Sequence, residues 1–182
     1  MNKISMLRIL TLTIIFVFNI MSQDLADSIT KIDSILKNEK AILYARIAND
    51  KYVKVQNENW PEDLVESINI VKSEGKVRLI RILPFSQSGD WSYETDSYFD
   101  KECRIIGYVE TKNHFNSICL EGAIHRKKTF VKKGSEFELV KSSILDSNGN
   151  DVSKLKCQDP YQFEPSIILN LKKYLVQIGF VK

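Results

Sequence analysis

From residue 89 to residue 152 the chain alternates polar and apolar side chains with a period of two and breaks repeatedly at short polar turns. A period of two puts successive side chains on opposite faces of a strand, whereas a helix needs a period near 3.6. This stretch is therefore built for antiparallel hairpins. Its first piece, WSYETDSYF, sets Trp91, Tyr93, Thr95, Ser97 and Phe99 against Ser92, Glu94, Asp96 and Tyr98. That pattern predicts a half-buried strand with its odd positions covered and Tyr98 facing out. Asp100-Lys101-Glu102-Cys103 turns the chain into RIIGYVET, where Ile105, Val109 and Phe115 share one parity and Gly107 marks a bulge or a close approach. A loop through Cys119 leads to EGAIHRKKTFV and EFELVKSSIL. The stretch ends at DSNGND, where Asn148-Gly149 suits a type I′ turn.

Upstream the period is less clean. Residues 41–47 and 52–55 flank Asn49-Asp50 as a first hairpin, although ILYARIA also holds good helix formers. Residues 64–73 and 76–83 read as a second hairpin around Glu74-Gly75, against a helix begun at Pro61 and closed at Gly75. Two segments keep a helical stripe. In residues 24–38 it is Leu25, Ile29, Ile32, Ile35 and Leu36; in residues 166–179 it is Ile167, Ile168, Leu171, Tyr174, Leu175 and Ile178. The predicted class is α+β: an antiparallel β-meander with N-terminal and C-terminal helices packed on it. A weak repeat aligns Gly75, Cys103 and Gly134 at the same place in three successive hairpins. Cys103 thus stands where glycine would be easier.

Lys3 and Arg8 precede an apolar run over residues 9–21 that is too short to span a bilayer. It has the form of a signal peptide, residues 1–22, cleaved after Ser22. Residues 23–182 then form a single domain without a transmembrane span, exported to the periplasm or secreted. Removing Lys3 and Arg8 lowers the formal charge from +3 to 3 − 2 = +1, too little to gather nucleic acid. Export gives the three cysteines an oxidising compartment. The expected disulfide is Cys119–Cys157, closing a loop of about 38 residues and contributing about 3–4 kcal/mol. Cys103 is left as a free thiol.

Chemistry is sparse. The two histidines, His114 and His125, accompany no nucleophile motif, the seven glycines form no phosphate loop, and no cofactor or metal set is spelled out. The sharpest charge feature is His125-Arg126-Lys127-Lys128. On a strand Arg126 and Lys128 face one way, His125 and Lys127 the other. With Tyr98 these four are the candidate binding surface, offered to an acidic partner such as a polyanionic glycan or a lipid phosphate.

The signal ending in Met-Ser-Gln-Asp, with YFDKECRI and DSNGND inside a β-rich chain, resembles small exported β-meander proteins of unknown function from Bacteroidota. The resemblance spans roughly residues 64–157 and implies location and architecture. Cys103 departs from its hairpin unit at the glycine. The expected function is a non-enzymatic binding or interaction module of the cell envelope, with an unknown protein or glycan as partner. A small periplasmic hydrolase or thiol enzyme, and a structural envelope protein, are the alternatives.

Overall fold

The structure, a computed structural model of the chain, describes residues 24–114, 122–155 and 159–181. The signal peptide and the Cys119–Cys157 pairing fall outside the described residues. Eight strands form one antiparallel sheet: β1 (Ile42–Ile47), β2 (Tyr52–Lys54), β3 (Leu64–Ser73), β4 (Lys76–Pro84), β5 (Trp91–Phe99), β6 (Ile105–His114), β7 (Ile124–Lys133) and β8 (Glu136–Asp146). Their order is β2-β1-β3-β4-β5-β6-β7-β8, so the chain steps once across its first hairpin and then runs as a meander. Both ambiguous upstream segments are strands, because β-branched residues fit a pleated surface that has neighbours on both sides.

Residues 24–36 are helical and form α1. Ile29, Ile32 and Leu36 cluster with Val71, Leu79, Tyr98, Val109 and Val131 on one face of the sheet. The second helix, α2 (Leu171–Gln177), belongs to a cluster on the other face with Tyr44, Ile68, Ile80, Ile82 and Phe99. It is shorter than the apolar stripe predicts. Asn170 caps it, accepting a hydrogen bond from the Lys173 amide at 3.0 Å. Before that cap the chain is an extended strap over residues 159–169. Ser166 N–H donates to Thr95 Oγ1 (3.3 Å) and Ile168 N–H to Ser97 Oγ (3.2 Å), so strand hydroxyls, not a helical ladder, satisfy the strap backbone. Lys112 Nζ holds its start through Asp159 (2.7 Å), and Phe163 stacks on Tyr93 (4.8 Å between centroids).

Two-sided cover corrects the half-buried reading of β5. Residues Thr95 to Phe99 are all buried, and Tyr98, expected to face out, is 0 % exposed beneath α1. A second correction concerns Ile105 and Val109, which share sequence parity yet lie in opposite clusters. Tyr98 pairs with Gly107 and Phe99 with Ile105, so Ile106 is an extra residue that flips the alternation. Gly107 itself is a close approach. A Cβ there would collide with the Phe130 carbonyl oxygen and sit 2.7 Å from Ile29 Cδ1.

The aligned turn positions Gly75, Cys103 and Gly134 all have positive φ, of 74°, 64° and 62°. The turn at Cys103 duplicates the one at Gly149. Cys103 N–H donates to Asp100 O and Asp100 N–H to Arg104 O; Gly149 N–H donates to Asp146 O and Asp146 N–H to Asn150 O. Asp100 Oδ1 and Asp146 Oδ1 each accept two further amides of their own turn. This is a three-residue loop closed by a left-handed residue, not the type I′ turn expected at Asn148-Gly149, since Gly149 has φ 82° and Asn148 is not left-handed. A thiol-bearing residue therefore holds a position suited to glycine.

Two stability outcomes follow. Gly107→Ala should lower the unfolding free energy by about 1–3 kcal/mol in urea titration, because the obstructing atom is backbone. Cys103→Gly should be more stable than the parent by about 1–2 kcal/mol, whereas the β-branched Cys103→Val should be less stable than the parent in the same titration.

Candidate functional site: a charged sheet face beside the N-terminal helix

Beyond the apolar residues under α1, the same face of the sheet turns polar. The register aligns Arg81, Asp96, Val109, Thr129 and Lys141 in one row across β4 to β8, and Glu94, Thr111, Lys127 and Ser143 in the next across β5 to β8. Arg81 shares parity with buried Leu79, so it enters the face as a charge that needs partners. It finds them on β5. Its Nε and Nη2 donate to the two oxygens of Asp96 at 2.8 and 2.7 Å, a two-pronged pair, and Nε lies 3.2 Å from Glu94 Oε2. The Asp96 hydrogen bond holds the Arg81 guanidinium protonated above its usual range. Burial, then the charge of Asp96, push the Glu94 carboxyl up to about 7, against the pull of Arg81.

Tyr98 ties this network to α1. Its hydroxyl donates to Asp33 Oδ1 at 2.6 Å, with Asp96 Oδ2 at 3.4 Å on its other side. Burial, then these two acids, raise the phenol far above its ordinary value, so it stays a donor. Between α1 and β6–β8 the surface opens into a pocket of about 230 Å³. Thr30, Asp33, Lys127, Thr129, Lys141 and Ser143 line it, and Ile29 and Val109 form its apolar side. Lys127 and Lys141 are exposed, while Thr129 is buried.

The residues predicted as a binding surface are thus divided. Tyr98 is a buried clamp and is withdrawn from any surface. His125 and Lys127 lie opposite Asn113 and Thr111, and Arg126 and Lys128 opposite Lys112 and Glu110, so the run splits between the faces as the strand period requires. His125 Nδ1 is 2.6 Å from Asn113 Oδ1. Lys127 alone of the five enters the pocket. The residues missed by sequence reasoning are Asp33, Arg81, Glu94 and Asp96; the signal for them was Arg81 flanked by apolar residues in LIRIL. Among the described residues the cysteine, Cys103, is not brought to a histidine. Cys103 is exposed at the turn before β6, while His114 ends that strand roughly 30 Å away at about 3.3 Å per residue. His125 pairs beside Asn113, at the His114 end. His114 is 0 % exposed, and burial lowers its pKa.

No family model, curated protein or solved structure matches the chain. Among the described residues, no helix is long and apolar enough to cross a membrane.

The network gives stability a pH dependence of definite sign. The folded carboxyl of Glu94 titrates near 7, above its value of about 4.3 in an unfolded chain. Its contribution is therefore complete below the unfolded value and is lost as pH rises through about 7. Glu94→Gln should flatten this decline. Melting temperatures measured from acidic to mildly alkaline pH should match the parent at the acidic end and exceed it at the alkaline end.

Proposed function

We propose that the protein is an exported, non-enzymatic binding module of the cell envelope, and that the pocket beside α1 receives an anionic group of its protein or glycan partner. One observation carries this reading. The acids of the face are committed, Asp96 and Glu94 to Arg81 and Asp33 to Tyr98, while Lys127 and Lys141 stand exposed at a pocket lined by the hydroxyls of Thr129 and Ser143. Exposed cations supply attraction, and hydroxyls supply directional donors to a carboxylate, sulfate or phosphate. The basic leader with its short apolar run supports export. The raised Glu94 carboxyl sits within the network that braces this face, so it is a structural acid.

Cys103 lies at the opposite end of β6 from His114 and His125, which does not support a thiol enzyme that pairs Cys103 with either histidine. Titration calorimetry with inorganic phosphate and with heparin tests the binding claim. Binding should be saturable, weaken with added salt, and fall at least about tenfold, about 1.4 kcal/mol, in the Lys127→Ala/Lys141→Ala double variant. Absence of binding by both probes, or an unchanged double variant, would refute it.

A further inference from the structure

At the other flank of the sheet, on the opposite face, lies a larger groove of about 530 Å³, within the range of about 300–1,000 Å³ common for small-ligand sites. It runs between α2, the strap and the start of the sheet. Its polar side is one register row. Tyr52 pairs with Arg46 and Arg46 with Glu66, so three side chains from β2, β1 and β3 stand abreast. Arg46 is held flat. Its Nε and Nη2 meet the two oxygens of Glu66 at 3.0 and 3.1 Å, and Nη1 meets Asp50 at 2.9 Å. Gln177 Nε2, from α2, donates to Tyr52 Oη at 3.2 Å and leaves the Tyr52 proton uncommitted. Tyr174, also in the groove wall, has a buried hydroxyl with no partner among the described residues. That hydroxyl is fully buried, so it departs from the rule that such groups are matched and is not itself reached from the groove. Across from these groups the wall is apolar, with Ile82, Ile167 and a Leu169 that is 66 % exposed.

We propose that this groove is a second binding site, for a neutral saccharide, and that it is independent of the anion pocket. Arg46 and Lys173 balance Glu66 and Asp50, which leaves little net field to attract an ion. What remains is planar, fixed hydrogen-bonding capacity from a guanidinium, a carboxylate, an amide and the Tyr52 phenol. Vicinal hydroxyls, each both donor and acceptor, match that set, and the C–H face of a sugar ring matches the Leu169 and Ile167 side. An anion would face the Glu66 carboxylate, nearly enclosed beside Arg46, and a cation would face Arg46 and Lys173. An apolar ligand would leave the polar row unmatched.

Titration of isotope-labelled protein with maltotriose and with chitotriose, followed by amide chemical shifts, tests the site. At least one trisaccharide should give saturable shifts confined to residues around Arg46, Tyr52, Glu66 and 166–177. Tyr52→Phe, which removes the uncommitted phenol proton, should weaken that binding at least tenfold with the fold retained, and Gln177→Ala should weaken it independently. Lys127→Ala/Lys141→Ala should leave it unchanged, which separates this site from the anion pocket. Absence of saturable shifts with both sugars, shifts centred elsewhere, or a Tyr52→Phe protein that binds as tightly as the parent would overturn the proposal.

Discussion

Strand β5 must be covered on both faces, and the rest of the structure depends on that. Thr95, Asp96, Ser97, Tyr98 and Phe99 are all buried, although they alternate between the faces. Phe99 needs only apolar neighbours. The other four carry polar atoms, and burying such atoms unmatched would cost several kcal/mol in all. Each is matched by whatever lies above it: Thr95 and Ser97 by strap amides, Asp96 by Arg81, Tyr98 by Asp33 of α1. The covering elements are thus specified twice, once by their apolar stripes and once by hydrogen bonds that only the correct docking can make.

This cover is incomplete in an ordered way. The α1 cluster spans β3 to β7, and the α2 cluster is centred on β1 to β6 of the opposite face. The anion pocket lies where cover by α1 ends over β6–β8, and the saccharide groove where α2 meets β1 and β2. Both combine a rigid floor of sheet side chains, held by ion pairs, with one wall from a docked segment. The charged pairs at these sites, Arg81–Asp96 and Arg46–Glu66, fix side-chain direction more than they add stability, since desolvation offsets most of their attraction.

Much of the architecture was legible because it is local. Period-two runs gave the strands, and the polar turns gave the hairpins, whereas alignment of Cys103 with Gly75 and Gly134 fitted a turn with or without positive φ, and the structure decides for the former. What escaped was long-range. WSYETDSYF alternates as a half-solvated strand would, and nothing adjacent reveals that Asp96 is matched by residue 81 or Tyr98 by residue 33. The apolar stripe of residues 166–178 reads as one helix because Ile167 and Ile168 fit its period. The preceding Pro165 and the hydroxyls of Thr95 and Ser97 instead favour an extended strap. The bulge at Ile106 moved Ile105 across the sheet, a shift no parity count can register. Cys119 and Cys157 lie outside the described residues.

Hydrogen exchange of the backbone amides tests the two-sided cover most directly. If β5 is the element that both faces protect, amides of β4, β5 and β6 should exchange slowest, by global unfolding, and the outer part of β8 should open separately at lower free energy. Amides of Ser166 and Ile168, bonded to β5 hydroxyls, should share the slow class although they lie in a strap. Exchange of β8 as slow as that of β5, or a strap that exchanges freely while β5 stays protected, would contradict this organisation.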